Sequence, residues 1–115
     1  MEQPLQVIFR DIQPSPAVEA KVRARVDKLD DMYDHVMSCR VVVEERHRHH
    51  QHGNLFHVGV SLTVPTSELA AHAEDEDVYV AIRDSFDAIR RQLEDYVRRR
   101  RGEVKTHAGT RAKSV

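Results

Sequence analysis

The segment FHVGVSLTV, residues 56–64, places an apolar side chain at every second position along its whole length. Five side chains share one face of the segment: Phe56, Val58, Val60, Leu62 and Val64. A period of two residues is typical of a strand that buries one face and leaves the other accessible. The segment therefore predicts a strand in a sheet with a single apolar face.

The preceding segment supplies a partner for this strand. SCRVVVEER, residues 38–46, is rich in valine, which favours the extended conformation. Between the two segments, Gly53 and Asn54 provide the backbone freedom of a hairpin turn. The stretch ERHRHHQHGN, residues 45–54, holds four of the eight histidines and is therefore predicted to be a strand end and the hairpin loop.

Two further strands are predicted outside the hairpin. LQVIFR, residues 5–10, alternates in the same way. Residues 65–67 predict a turn, and residues 68–74 predict a short strand after it. The inward-facing side chains of these two strands are Leu5, Val7, Phe9, Leu69, Ala71 and Ala73, and His72 faces outward.

The first helical pattern begins after a break at DIQPSP. Ser15 is a suitable N-cap, and Pro16 takes the first helical position, where its missing N–H breaks no hydrogen bond. The helix is predicted to run to about His35. Its apolar stripe consists of Val18, Val22, Val26, Leu29, Tyr33 and Val36.

The second helical pattern is the longer and more regular of the two. Acidic residues in the segment 74–77 precede it, where negative charge is favourable against the helix dipole. Its apolar stripe consists of Tyr79, Ile82, Phe86, Ile89, Leu93 and Tyr96. Gly102 predicts its end, and residues 105–115 are predicted to be a basic tail without regular structure.

These elements follow one another in the order β-α-β-β-β-α. Each helix has one apolar stripe and the sheet has one apolar face, so packing the helices as one layer on the sheet buries all three apolar surfaces. The predicted fold is α+β, with two helices packed on one face of a four-stranded sheet, and residues 1–104 form a single domain. The other face would carry Gln6, Arg10, Arg40, His57 and His72. This set is too polar for a second core layer.

The composition excludes several classes of protein. The chain has 115 residues, 40% of them apolar, and no apolar run approaches the ~20 residues of a membrane helix. The N-terminus lacks the pattern of a signal peptide, and the single Cys39 cannot form an internal disulfide. A reduced, cytoplasmic protein without a membrane partner is expected.

The distribution of charge indicates the kind of partner. The net charge is only −1, yet residues 96–115 hold seven Lys/Arg and one acid. Such asymmetry points to an anionic partner for the basic end of the chain.

No enzymatic motif stands out, so catalysis, a cofactor and a small-molecule substrate are not expected. The sequence has no phosphate-binding glycine loop and no G-x-S-x-G, and Cys39 in its valine-rich strand is interpreted as a core residue. Asp87 and Glu94 each lie four residues before an arginine, Arg91 and Arg98, which is the spacing of surface charge pairs.

The histidine-rich stretch leaves three interpretations open. His47 and His49 would project from one face of a strand and could chelate a metal, but no four-ligand zinc spacing accompanies them. A solvated hairpin is the simplest interpretation. Contact of Arg46, Arg48 and the histidines with phosphate or ribose is the third. No metal requirement is predicted.

Basic residues flank the apolar stripe of both predicted helices. They are Lys21, Arg25 and Lys28 on the first helix, and Arg83, Arg90 and Arg101 on the second, with Arg91 and Arg98 further round. If the helices pack side by side, the two rows converge on a basic groove. A solvated charged face is the alternative, because the acids Asp84 and Asp87 intrude. Arginine suits phosphate, so such a groove would recognise the shape and backbone of RNA rather than its sequence.

Three segments together resemble a known family. They are QVIFRDIQPSPAVEAKVRARVDKLD (6–30), VEERHRHHQHGNLFHVGVSLTVPTSELAAHAE (43–74) and EDVYVAIRDSFDAIRRQLEDYVRRRRGEVKTH (76–107). The motif Asp77-x-Tyr79-x-Ala81-Ile82, the basic track after it and the order of the hairpins are similar to those of the ribosome hibernation-promoting factor/ribosome-associated inhibitor family. This family is also called the sigma-54 modulation proteins, and the resemblance is to its short form.

The resemblance implies a fold similar to double-stranded RNA-binding domains and a cytoplasmic protein that binds the small ribosomal subunit under stress or in stationary phase. It implies that the domain lodges near the decoding region, contacts rRNA and blocks mRNA and tRNA binding. The residues carried over are Lys21, Arg25, Lys28, Arg83, Arg90, Arg91, Arg98 and Arg101, and Arg46 and Arg48 of the hairpin complete the expected set. Other hibernation factors are the expected partners for pairing ribosomes.

Two functions of other classes stay open beside this one. The first is a regulatory protein-interaction module of the sigma-factor modulation type, and the second is a histidine-loop metal carrier. Steep salt dependence of ribosome binding would favour the ribosome-bound silencer. Salt-tolerant binding to one protein would favour the module, and stoichiometric metal uptake would favour the carrier.

Overall fold

The fold is given by a computed structural model, which describes residues 5–47 and 54–109, with side chains for 5–46 and 54–102. The elements are β1 (Leu5–Arg10), α1 (Pro16–Met32), β2 (Ser38–His47), β3 (Asn54–Val64), β4 (Ser67–Asp75) and α2 (Val78–Gly109). Their order confirms the prediction of a two-layer α+β fold. Residues 48–53, which include Gly53 and most of the histidine-rich stretch predicted to form the hairpin loop, lie outside the described residues.

The strands form one sheet in the spatial order β1-β2-β3-β4. β1 and β2 are parallel, so the chain must cross over between them, and α1 is that crossover. The other two pairs are antiparallel hairpins. The register aligns Val7, Val41, Val60 and Ala71 in one row across all four strands. A slip of one residue would turn a whole strand's apolar set away from the helices, so burial specifies this register.

The core lies between the sheet and the two helices. β2 and β3 supply its centre, where Val41, Val43, Val58 and Leu62 are fully buried. The inward-facing residues Leu5, Val7, Phe9, Leu69 and Ala71 of the outer strands are partly buried against it. The prediction that residues 56–64 form a sheet strand with one buried face is thereby confirmed.

The start of α1 is as predicted and its end is not. The hydroxyl of Ser15 accepts a hydrogen bond from the amide of Val18 at 3.2 Å, and Pro16 opens the helix. The prediction that the helix reaches His35 was wrong, because it ends at Met32 and Tyr33 takes an extended conformation. The extended backbone turns the chain toward the sheet, where the amide of Met37 donates to the carbonyl of Thr63 at 2.8 Å.

The apolar stripe of α2 is rotated slightly from the predicted one. Tyr79 is 41% exposed, so its assignment to the stripe was wrong, while Val78 packs on the core and Ala81 is buried. Asp77 caps the helix, because its carboxylate accepts a hydrogen bond from the amide of Tyr79 at 2.8 Å. The first helical residue is therefore Val78. Ser85 is buried in the same stripe and donates to the carbonyl of Ile82 at 3.0 Å.

The second helix does not end at Gly102, and that prediction was wrong. The helix continues to Gly109, so residues 105–109 of the predicted tail are helical, while 110–115 lie outside the described residues. A glycine inside a helix costs about 1 kcal/mol, which neighbouring good helix formers can outweigh. A Cβ placed on Gly102 would meet nothing within 4 Å, so no packing requires the glycine.

The polar face of the sheet is as predicted. Gln6, Arg10, Arg40 and His72 are exposed on the side away from the helices, and His57 is partly buried there. No second layer of the described residues covers this side, and we call it the open face.

Replacing Phe86 with alanine should lower the free energy of unfolding by about 3–5 kcal/mol, because its ring is 3% exposed in the core. Urea unfolding followed by circular dichroism measures the change. Arg91→Ala on the exposed side of the same helix is the control and should stay within about 0.5 kcal/mol of the parent. Equal effects of the two changes would contradict the packing described above.

Gly102→Ala should raise both the helical circular-dichroism signal and the stability, by up to about 1 kcal/mol, since the position is inside a helix. If Gly102 instead ended the helix in a left-handed conformation, alanine would be strained there and the variant would lose stability. Thermal unfolding of the two proteins decides between these outcomes.

Candidate RNA-binding surface

The first basic row follows α1. Lys21, Arg25 and Lys28 are spaced four and three residues apart, so they lie on one flank of the helix beside its buried valines. Lys21 and Lys28 are exposed, and the side chain of Arg25 is 29% exposed. Met32, four residues after Lys28, lies on the same flank at the end of the helix.

The second row follows α2 and contains both signs of charge. At spacings of three and four residues it comprises Arg83, Asp87, Arg90, Glu94, Arg98 and Arg101. The arginines in this row are exposed. Arg91 is exposed as well and lies further round the helix, as predicted.

An ion pair and a shared depression bring the rows together. Arg25 on α1 forms an ion pair with Asp87 on α2 at 3.9 Å. Further along, Met32 shares a depression of about 330 Å³ with Val97 and Arg101 of α2. From the ion pair to the depression the residue numbers rise on both helices, so the helices run side by side and parallel. The rows therefore face each other across what we call the two-helix groove, defined by Lys21, Arg25, Lys28, Arg83, Arg90, Arg98 and Arg101.

Acids hold most of the groove's arginines, but not in the predicted pairs. Asp87 contacts α1 instead of Arg91, and Glu94 pairs with Arg90 at 3.1 Å instead of with Arg98. Arg98 pairs with Asp95 at 3.1 Å. The helical spacing permits either neighbour, and the packing of α1 decides the partner of Asp87.

These ion pairs are weak because the side chains are exposed. Arg83, paired with Asp84 at 3.0 Å, is 54% exposed, and Arg98 is 74% exposed. Solvent-exposed pairs typically contribute less than about 1 kcal/mol, so a phosphate can replace the carboxylate at little cost. Among residues with described side chains, none forms an ion pair with Lys21 or Lys28.

Arg46 of the hairpin is not part of this surface. Arg46 lies on the open face, on the other side of the sheet, where it pairs with Glu74 at 2.8 Å and Glu44 at 3.4 Å. Arg48 and His49 lie outside the described residues, and the side chain of His47 is not described. The structure therefore brings together seven of the eight helix cations of the predicted set, while Arg91 lies further round α2 and Arg46 lies on the other side of the sheet.

An aromatic cluster at the end of the groove was not expected from the sequence. The rings of Tyr33 and Tyr96 meet edge to face with centroids 5.8 Å apart, and the Arg100 guanidinium lies 5.7 Å from the Tyr96 centroid. Burial and a hydrogen bond with Tyr96 raise the pKa of Tyr33. The hydroxyl of Tyr96 also donates to the carbonyl of Pro65, which ties the β3–β4 turn to α2. The only sequence signal was the position of Tyr96 at the end of its stripe and of Tyr33 next to the end of the other.

Cys39 is a core residue, as predicted. It is 2% exposed, and burial raises the pKa of its thiol to about 12. No group of three metal-binding side chains occurs in the parts of the chain whose structure is described, and none of the described helices is long and apolar enough to cross a membrane.

Cys39 should resist alkylation by iodoacetamide at pH 8 in the folded protein, because so little thiolate exists at that pH. In urea the thiol should return to an ordinary pKa and react. Mass spectrometry after timed quenching measures the two rates. Equal rates in the two solvents would show that the thiol is accessible in the fold.

The fold and this surface define a class of protein, a two-layer α+β domain whose paired helices present cations in a groove. Comparison with known proteins gives the family. The model of the sigma 54 modulation protein/S30EA ribosomal protein family matches residues 5–101, and the chain belongs to this family, which includes the hibernation-promoting factors.

Solved structures share the fold. A ribosomal subunit interface protein from Coxiella burnetii matches with a TM-score of 0.68 at 17% identity, covering 80% of this chain and 94% of that one. The Protein Y N-terminal domain of Thermus thermophilus matches with a TM-score of 0.67 at 21% identity, covering 79% of this chain and 94% of that one. A search of curated proteins found no match. Family membership makes the chain a ribosome-associated protein of the hibernation type.

Proposed function

We propose that the protein binds the small ribosomal subunit near the decoding region and blocks mRNA and tRNA binding under stress or in stationary phase. The solved relatives support a site between the subunits, since one is described as a ribosomal subunit interface protein. The action is occlusion by a bound domain rather than catalysis, with no cofactor or small-molecule substrate. The binding unit is residues 1–104, which include the matched range 5–101.

The observation that carries this proposal is the ion pair between Arg25 and Asp87. It joins the two helices at the point where both basic rows run beside the core, so the cations of both helices face one groove. A groove with cations on both sides can contact phosphates on both sides of an RNA backbone. Such contacts read the shape and charge of a folded RNA, which suits rRNA.

Phosphate is a stronger partner for these arginines than the carboxylates that hold them. An arginine fork binds two phosphate oxygens at once, and each contact releases counterions from the RNA. Arg83 and Arg90 lose little free energy when a phosphate replaces their carboxylate partners, Asp84 and Glu94, because both pairs are exposed. We therefore assign the rRNA contacts to the groove cations and Arg91, with Arg46 and Arg48 of the hairpin as a separate contact.

This function has consequences for location and partners. A protein that acts on the small subunit works in the cytoplasm and needs no membrane. We assign the pairing of ribosomes to other hibernation factors, because the groove described here supplies one ribosome contact.

Arg83→Ala/Arg90→Ala should weaken co-sedimentation with small subunits and reduce the slope of log K against log salt by about two units, one for each phosphate contact. The same variant should relieve inhibition of cell-free translation. Its fold should be intact, because both side chains are exposed and outside the core.

Arg23→Ala/Arg99→Ala is the matched control. It also removes two exposed arginines, each paired with an acid, at 2.9 Å to Glu19 and 2.7 Å to Asp95, but away from the groove. The control should bind with the parent's salt slope. If both variants bind like the parent at every salt concentration, the groove is not the ribosome contact. Salt-tolerant binding to a single protein partner would then favour the regulatory interaction module.

A further inference from the structure

The open face has a shape and chemistry of its own. A shallow depression of about 390 Å³ lies across the middle of the sheet. Its floor is formed by Val42 and Gly59, and its rim carries arginines, imidazoles and the carboxylate of Glu44. The face points away from both helices, so the two-helix groove does not reach it.

Two of the cations at this depression have no acidic partner among the side chains that the structure describes. Arg10 on β1 and Arg40 on β2 are exposed, and neither forms an ion pair with a described side chain. Arg46, by contrast, is held by Glu44 and Glu74. Since no described carboxylate holds them, the guanidinium groups of Arg10 and Arg40 can bind an anion.

Two histidine rings lie close to each other beside these arginines. The rings of His57 on β3 and His72 on β4 lie with centroids 5.2 Å apart and planes tilted by 32°. Burial, followed by the nearby Arg46 cation, lowers the pKa of His57 below its ordinary value. The ring of His57 is therefore neutral at pH 7 and presents a π-face rather than a charge.

Gly59 lies in the middle of β3, where glycine is unfavourable. Its backbone does not adopt a positive φ, and a Cβ added there would meet only the His57 ring, at 3.9 Å. Neither conformation nor packing therefore requires glycine. What the missing side chain does provide is depth between Val42 and His72, its cross-strand neighbours. Such a glycine often marks a place where a ligand approaches the backbone closely.

We propose that the open face binds an unpaired segment of RNA. The bases lie on the His57 and His72 rings and over Gly59, and the phosphates are held by Arg10 and Arg40. Stacking on imidazole together with arginine–phosphate contact is the way single strands are bound without reading their sequence. An acidic peptide would satisfy the arginines, but it would leave the pair of histidine rings and the glycine without a role.

The identity of the strand as RNA rests on the ribosome association of the family, and not on the groove. This site is on the opposite side of the sheet from the two-helix groove. The domain can therefore contact a folded RNA through its helices and a single strand through its sheet at the same time.

Fluorescence anisotropy of the full chain with a labelled ten-nucleotide oligouridine tests the proposal without ribosomes. Arg10→Ala/Arg40→Ala should reduce the salt slope by about 1.4, since each phosphate contact on a single strand contributes about 0.7. His57→Ala/His72→Ala should weaken binding about fivefold or more, the loss expected from one stacked base.

Gly59→Val separates binding from folding. Valine is favourable in a strand, and its Cβ fits, so the melting temperature should stay the same or rise. Its side chain fills the depression, so oligouridine binding should fall at least as far as in the histidine variant. A variant that melts higher and binds less cannot owe its loss to misfolding.

The groove variant Arg83→Ala/Arg90→Ala should retain oligouridine binding, which separates this proposal from the ribosome contact proposed above. Parent-like binding by the arginine, histidine and Gly59 variants would overturn the inference, as would the absence of binding by the parent. A ten-residue polyglutamate that competes as well as the unlabelled oligouridine would also overturn it, since the face would then be an anion site for peptides.

Discussion

Burial of a single face of the sheet beneath both helices is the constraint on which the other surfaces depend. The inward residues of β2 and β3 include Val41, Val43, Val58, Val60 and Leu62, all buried, and this apolar face must be covered along its length. Since β1 and β2 are parallel, α1 crosses over on that same side, and α2 packs beside it. The helices then meet flank to flank, and the other face of the sheet is left to polar residues. Both the groove and the open face are consequences of this one-sided core.

The helix flanks explain how a chain with a net charge of −1 can present cations. The acids are not excluded from the groove. They lie among its arginines and hold them in place through exposed ion pairs of small net energy. The contact of Arg25 with Asp87 differs from the others because it joins two elements rather than two turns of one helix. Local segregation of cations, and not the overall charge, therefore sets the character of this surface.

The parts predicted well from the sequence are those governed by local rules. Ser15 and Pro16 specify the start of α1 through one cap and one missing N–H, and both act within a single turn. Where two local rules compete, prediction failed. Gly102 is a suitable terminator and also a tolerable helix residue, and the sequence does not say which effect is larger. Tyr33 fits the helical stripe, yet its ring packs on Tyr96 and its backbone leaves the helix. That outcome depends on a residue 63 positions away.

The sequence by itself determined the number, type and order of the elements and the inward face of each strand, because periodicity is a local property that burial selects directly. It also determined which cations flank the helical stripes. Only the tertiary structure decided which cations share a surface. It joined Arg25 to the α2 row and placed Arg46 on the far side of the sheet, where Arg40 also lies. The physical reason is that the direction of a side chain follows from its own residue's backbone, whereas its neighbours in space follow from how separate elements pack.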